Sequence, residues 1–362
     1  MPIQRVFTIA SANYTNIGDA LIYRKALSWT ADVQSRHVFV GRAPNLWLEQ
    51  IELERGRDTV YGASVGDVRG RLRSITTWAF RLAFGRGSTA LVFDVGEVWL
   101  QRRRLPYELL NLVLAVIVRL RGGVVIRPPH AVHANYSKAT LAVFRLGERL
   151  TNLSYFRTRQ SRELVGRGVA VPDIGFSEER RSGLPVDRRD LLLVSLRGDR
   201  PDVDETWVAG VRLFAERKGW RIAAVTQVVE DEQRSHSLAE RLGGAVVPWL
   251  GEDRIRMERE LIDVYGRAAF VVSDRLHVLV YGLLCGAVGA EVVPTPSPKV
   301  AVHLATAGID AVTIDATAHG AEQIAAFLES VHARREEILA AVPKAGSRLA
   351  AAEREVRDLL TR

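Results

Sequence analysis

Short runs of β-branched and apolar residues alternate along this chain with longer stretches whose apolar positions recur at helical spacing. RVFTIAS (5–11) predicts a first strand, followed by a helix over about 19–31. HVFVG (37–41) and TALVFDVG (89–96) predict the next two strands, the second ended by Gly96. Pro106 suits the first turn of a helix carrying YELLNLVLAVIVRL. GGVVIRPPH (122–130) predicts a strand stopped by its two prolines. LAVFRLGERL (141–150) then predicts a helix and LSYFRTR (153–159) a further strand-like segment. SEERRSGLPVDRRD is polar and charged, with Gly and Pro, and marks a boundary near 178–190.

The alternation resumes with the strand LLLVSLRG (191–198) and the helix VDETWVAGVRLFAERKG, in which Trp207, Val211, Phe214 and Ala215 share one face. Strands WRIAAVTQV, GAVVPW and AFVVS follow, separated by helices DEQRSHSLAERLGG and DRIRMERELIDVYGRA. A long apolar helix starts at about His277, and the tail from Ala321 predicts two amphipathic helices broken at Pro343. This order predicts an α/β protein of two doubly wound, Rossmann-like domains, 1–180 and 190–362, facing a cleft. Parallel sheets bind ligands beyond the carboxyl ends of their strands. Residues just after strands are therefore the first candidates for chemistry.

Composition narrows this picture. A chain of 362 residues with 47% hydrophobic and 25% charged residues is ordinary for a globular protein and long enough for two cores. The net charge of +8 is nearly all arginine, since the lysines are only Lys25, Lys138, Lys218, Lys299 and Lys344. That bias reflects either genome composition or an anionic ligand or membrane surface. Nucleic acid is not expected, because the arginines are scattered among acids and no nucleic-acid motif appears. Cys285, the single cysteine, reads as a small core residue, allows no intrachain disulfide and favours a reducing cytoplasm. The start MPIQRVFTIAS carries no signal-peptide pattern, and Leu109–Val118 is too short to span a bilayer, which takes about 20 residues. A cytoplasmic protein is expected, with a peripheral position at the inner face of the membrane left open by the basic surface and the amphipathic tail.

SDRLH (273–277) lies where a buried strand gives way to a buried helix. The first N–H groups of a helix lack partners and the dipole is positive there, so an anion fits. Arg275 adds a two-pronged donor and His277 a group able to move a proton near neutral pH. The alternatives are a cap for Ser273 or Asp274, an interdomain salt bridge for Arg275 and a satisfied core imidazole for His277. SANYTNIGDALI (11–22) follows the first strand, with Gly18 permitting close backbone approach. Asn16 and Asp19 there are either acceptor contacts or caps. In VSLRGDRPD, Arg197 and Arg200 follow the first strand of the second domain, and Arg200 reads as solvated. His130 and His133 in RPPHAVHA lack the partners of a metal set, leaving His130 as a cleft-lining residue. Glu97 in FDVGEVWL is either an acceptor contact or a helix-start carboxylate.

The order NIGDALI, FDVGEVWL, SYFRTRQSRELV with VPDIGFS, and finally SDRLH with the downstream PSPKV, resembles the polysaccharide pyruvyl transferase family over nearly the whole chain. The sequence departs from that pattern at DVGE, in place of three glycines, and at GAVGAE, in place of Gly-x-Pro. The resemblance implies a fold like that of GT-B glycosyltransferases. It implies transfer of the enolpyruvyl group of phosphoenolpyruvate to a saccharide, free or lipid-linked, of a cell-envelope or exopolysaccharide precursor. The product would be a cyclic, 4,6-type ketal, with phosphate released. Arg275, Leu276 and His277 would then line the donor site, with Arg197 and Lys299 as further cations and His277 as general acid. Asn16, Asp19, Glu97 and His130 would face the acceptor. No metal or other cofactor is required by this scheme, and a divalent ion remains compatible with it. Two other readings stand beside it: a nucleotide-sugar-dependent glycosyltransferase of the same layout, and a non-catalytic envelope-assembly protein.

Overall fold

The computed structural model describes residues 2–362 apart from Asn13, Arg55, Ala63, Val65, Gly66, Ser182 and Glu252. Of the stretches quoted above, only Asn13 of the first loop and Ser182 of the boundary segment therefore lie outside the description. The chain forms two compact units. Unit 1 comprises Met1–Tyr14, Asp19–Ile174 and Ser347–Arg362, and unit 2 comprises Thr15–Gly18 and Gly175–Gly346.

In chain order the first half holds β1 (Arg5–Ile9), α1 (Ile17–Ser28), β2 (Ser35–Gly41), α2 (Asn45–Gln50), β3 (Asp58–Gly62), α3 (Val68–Phe84), β4 (Thr89–Val92) and β5 (Gly96–Val98). Next come α4 (Leu105–Leu120), β6 (Val124–Val132), α5 (Lys138–Glu148), β7 (Leu153–Phe156), α6 (Arg159–Val165) and β8 (Val169–Ala170). Among the described residues these strands make one sheet, ordered β3-β2-β1-β4-β6-β7-β8 with β5 beside β6, and every pairing is parallel. Strand order reverses between β1 and β4, so the loops after those two strands diverge and leave a crevice. Phe7, Phe39, Trp78, Leu82, Leu91, Phe93, Leu114 and Val125 fill the core under that edge. Residues 42–88 carried no sequence expectation. They form α2, β3 and α3, and of the apolar residues of α3 only Trp78, Leu82 and Ala83 are buried.

Unit 2 holds β9 (Leu191–Ser195), α7 (Glu205–Lys218), β10 (Arg221–Val225), α8 (Glu232–Leu242), β11 (Ala245–Val247), α9 (Arg254–Arg267), β12 (Ala268–Ser273) and α10 (Leu276–Leu284). It continues through β13 (Val288–Val293), α11 (Pro298–Ala307), β14 (Thr313–Asp315), α12 (Ala321–Ala333) and into α13 (Arg335–Thr361). The second sheet is ordered β11-β10-β9-β12-β13-β14, again all parallel, with its reversal between β9 and β12. Helix α7 shows why the sequence folds this way. Asp204 accepts from the Trp207 N–H at 2.8 Å as N-cap, Gly219 ends the helix with φ 67°, and Trp207, Val211, Phe214 and Ala215 are all buried.

Two expected features differ. The break in the tail falls at Arg334, and α13 runs straight through Pro343. Burial of Ile338, Val342, Ala345 and Leu349 along one stripe outweighs the lost N–H of the proline. The segment 178–190 is not a loose linker. A Cβ on Gly183 would lie 2.3 Å from the Gly266 carbonyl, and the Leu184 N–H donates to that same oxygen at 2.8 Å. Residues from Ser347 onward group with unit 1, where the Tyr155 hydroxyl donates to Glu355 Oε2 at 2.7 Å and Arg348 to the Ala170 carbonyl at 2.9 Å.

Buried ion pairs pin unit 1. Arg157 and Asp173, from the SYFRTR and VPDIGFS stretches, meet at 2.8 Å. Arg36 forks onto Asp58 between β2 and β3 at 2.5 and 2.6 Å, with both side chains almost fully buried. Removing one partner leaves the other charge buried, which costs about 3–5 kcal/mol. Arg36→Ala is expected to lower unfolding free energy by that order in urea titration, and Arg36→Ala with Asp58→Ala together by distinctly less than the sum of the two single losses.

Candidate functional site

Three neighbouring strands of unit 2 end together, and their loops are tied by two aspartates. Ser273, at the end of β12, donates through Oγ to the Ser195 carbonyl at 2.6 Å and accepts from the Arg275 N–H at 3.0 Å. Asp274 accepts from the Arg197 N–H at 2.9 Å, joining the loops after β9 and β12. Asp231, before α8, is 1% exposed. Its carboxylate takes the guanidinium fork of Arg275, with Nη2 donating to Oδ1 at 2.6 Å, and Oδ1 also accepts from the Gly198 N–H at 2.8 Å. Arg275 is thus held by a carboxylate of its own unit, which is neither the expected anion site nor the interdomain salt bridge set against it.

His277 stands half-buried one residue into α10. Against it lies the TNIG stretch, which groups with unit 2. Asn16 forms an antiparallel bridge with Val228, its Oδ1 accepts from the Gly18 N–H at 2.9 Å, and Thr15 Oγ1 donates to Glu230 at 2.9 Å. A Cβ on Gly18 would sit 2.5 Å from the His277 Cβ, so only glycine fits there. Asn16 therefore turns the chain at the start of α1, as its capping alternative anticipated. Asp19, on the same helix, belongs to unit 1.

Beside the tied loops is a cavity lined by Arg197, Arg200, Asp274, Glu291, Ser297 and Lys299 among others. Arg197 reaches it while its guanidinium forks onto Asp199 at 2.9 and 2.7 Å, which holds that carboxyl at about 2. Lys299 is on the first turn of α11, where the Ser297 hydroxyl accepts its N–H at 3.2 Å. Glu291 projects from β13 almost fully buried, and burial pushes its carboxyl up to about 8 against the pull of Thr313 and Arg200. Its Oε2 has no hydrogen-bond partner. The structure thus brings Arg197 and Lys299 together, adds Arg200 and Glu291, and leaves Arg275, Leu276 and His277 off this cavity's wall. Arg200, which read as solvated, is indeed exposed and also lines this pocket, and Glu291 gave no signal beyond an acid inside an apolar strand.

Unit 1 has its own cavity of about 320 Å³ at the crevice after β1 and β4, lined by Ser11, Asp94, Glu97, Trp99, Tyr107 and Arg127 among others. The Tyr23 hydroxyl donates to Asp94, yet burial and the nearby charge of Asp19 push the Asp94 carboxyl up to about 7. Glu108 is buried beside it and also shifted up by burial. Glu97 lies on strand β5, opposite Ala131, rather than at a helix start. His130, expected at the acceptor, is instead fully buried against Phe144 and Phe156, its Nδ1 donating to the Pro128 carbonyl at 3.0 Å. Burial and Arg127 hold its imidazole down at about 3, so it is uncharged at neutral pH, with its one proton on Nδ1. His133 stacks on Trp99 instead of meeting His130.

No family model matches the chain, and no curated protein matches it. Solved structures do match in shape. A UDP-GlcNAc 2-epimerase from Neisseria meningitidis bound to UDP-GlcNAc is 8% identical, with TM-score 0.58 over 98% of this chain and 99% of its own. The calicheamicin glycosyltransferase CalG4 is 13% identical, with TM-score 0.51 over 99% and 98%. HepE from Anabaena, in complex with UDP and glucose, is 11% identical, with TM-score 0.50 over 99% and 97%. The fold is GT-B-like. Pyruvyl transfer from phosphoenolpyruvate is thereby overturned as the leading expectation. The structures named here are an epimerase, a glycosyltransferase and a protein holding UDP and glucose, none a pyruvyl transferase, which leaves the nucleotide-sugar alternative the better supported.

Two outcomes test this description of unit 2. Gly18→Ala is expected to lower its stability, read as an earlier thermal transition, because the new methyl meets the His277 ring. Glu291 titrates at about 8 folded against 4.5 unfolded, so the folded state binds the extra proton and the penalty of ionising it grows as pH rises from about 5 to 8. Wild type should lose stability across that window relative to Glu291→Gln, whose profile should be flatter in denaturant titrations at each pH.

Proposed function

We propose that this chain is a nucleotide-sugar-dependent glycosyltransferase acting on a cell-envelope or exopolysaccharide precursor. One observation carries the reading. Arg197, Arg200 and Lys299 converge with the start of α11 on a single cavity at the carboxyl edge of a parallel sheet. A sugar leaving as a glycosyl group hands its bonding electrons to a diphosphate, whose charge grows as the bond to the anomeric carbon breaks. Fixed cations and helix N–H groups stabilise that growing charge more than the ground state. Glu291, protonated or shared at neutral pH, suits a hydroxyl of the nucleotide's sugar, which can both donate to and accept from it. The matched structures that hold UDP or UDP-GlcNAc support a nucleotide in this fold.

The cavity of unit 1 is assigned to the acceptor sugar. Asp94 would take the proton of the attacking hydroxyl, since a carboxyl near pH 7 is matched to that work. The Tyr23 hydroxyl fixes the carboxyl's orientation.

Calorimetric titration with UDP and other nucleoside diphosphates is the test. Saturable binding is expected, weakened about tenfold in Arg200→Ala and in Lys299→Ala, or about 1.4 kcal/mol for each lost charged contact. Incubation with a UDP-sugar and candidate acceptors should release the free diphosphate in step with glycoside. Conversion of the UDP-sugar to its C2 epimer without an acceptor would overturn transfer, and no nucleotide binding would overturn the whole reading. In Asp94→Asn the rise of transfer rate through pH 7 should disappear while diphosphate affinity stays at the wild-type value.

A further inference from the structure

We propose that the outer faces of α3 and α4 form a docking surface for an anionic phospholipid bilayer. The two helices pack side by side on one face of the unit 1 sheet, and Arg121 ties their ends by donating to the Ala83 and Gly85 carbonyls at 2.6 and 2.5 Å. Their outward stripes are apolar where a solvated helix would be polar. Leu72, Phe80 and Phe84 stand exposed on α3 at 60%, 63% and 69%, and Val113, Val116 and Leu120 on α4 at 52%, 38% and 83%. The spacing is helical in both, and the Phe80 and Phe84 rings lie 4.9 Å apart, so each set is one continuous strip. A contiguous exposed strip of this size marks an interaction surface.

Its charge identifies the occupant. Between Val68 and Arg121 there are ten arginines, no lysine and only three acids, Asp94, Glu97 and Glu108. Glu108 is buried, and all three acids line the cavity of unit 1. All ten arginines are exposed, and none of them pairs with a carboxylate among the described residues. Arg69, Arg71 and Arg73 flank the strip on α3, and Arg102–Arg104 precede α4. An apolar strip bordered mainly by guanidinium groups, with the N-cap Asp67 of α3 beside them and Arg71 and Arg104 reaching the unit 1 cavity, is the pattern of a helix lying in the headgroup region, its side chains in the acyl boundary and its cations on lipid phosphates. A second copy of the chain is the poorer occupant, because a self-paired face would set ten unpaired cations against ten more. A bilayer-spanning role is not at issue, since no described helix is long and apolar enough to cross a membrane. The tail expected to serve this purpose does not: α13 buries its apolar stripe, including Ile338, Val342, Leu349 and Val356. The surface stands whether or not unit 2 binds a nucleotide.

Co-sedimentation of the full chain with unilamellar vesicles tests it. Binding is expected to vesicles of phosphatidylcholine mixed with phosphatidylglycerol, to fall with added salt, and to be lost with phosphatidylcholine alone. Replacing Arg69, Arg102 and Arg103 by serine should lower the partition coefficient on the order of a hundredfold, about fivefold for each arginine. Phe84→Ser with Leu120→Ser should lower it comparably, with circular dichroism and the thermal transition unchanged because these side chains are exposed. Equal binding to neutral vesicles, no binding to either kind, or anionic-vesicle binding untouched by both sets of substitutions would overturn the proposal. So would light scattering that shows a dimer dispersed by Phe84→Ser with Leu120→Ser, since the face would then belong to a second copy.

Discussion

A carboxylate buried without partners is costly, and Asp231 is held in place by three loops that converge on it. It takes the Arg275 fork from the start of α10 and the Gly198 N–H from the loop after β9, while itself preceding α8. That single acid therefore fixes where the carboxyl ends of β9, β10 and β12 leave the sheet of unit 2. Asp274 repeats the arrangement one step away by holding the Arg197 N–H. Arg275 is engaged in this way off the cavity wall, and the cations that line the cavity are those on the loops it steadies, Arg197 and Arg200, together with Lys299 on α11. The site follows from the framework rather than from the most conspicuous arginine in the sequence.

The two units solve the same problem twice. In each, an all-parallel sheet reverses its strand order beside its first strand, and a cavity opens where the two diverging loops leave space. In each, burial lifts one carboxyl into the neutral range, Asp94 at about 7 in unit 1 and Glu291 at about 8 in unit 2. The surroundings differ in sign. Unit 2 collects cations around its acid, whereas unit 1 sets Asp94 near Glu108 and Asp19, with Arg127 paired to the buried Glu148 and sandwiched between Phe93 and Phe144. One pocket gathers cations around its acid and the other sets acids close together.

Several particulars of the site could be read along the chain and several could not. Gly18 was legible as a place of close approach, but that the approaching group is His277 depends on a contact between residues far apart in sequence. SDRLH was legible as a strand-to-helix junction with chemistry in it, yet sequence offered an anion site and an interdomain salt bridge, and the pairing with Asp231 of the same unit is neither. His130 and Glu291 show the reverse failure. Both sit in strands whose neighbours look like core, and only the depth of each position separates an inert imidazole from a carboxyl on a cavity wall. The membrane-facing strip was missed because α3 has too few buried residues to give a strong period.

Periodicity and punctuation in the sequence alone determined two Rossmann-like α/β units, the positions of nearly all buried strands and the core face of helices such as α7, because those are local consequences of side-chain spacing. Tertiary structure decided which charges pair. It assigned Arg275 to Asp231 and Arg200 to the cavity, and it carried α13 through Pro343 into unit 1. Local pattern fixes where a side chain points. The energy of a charge is set by what surrounds it, and those surroundings come from elements distant in the chain.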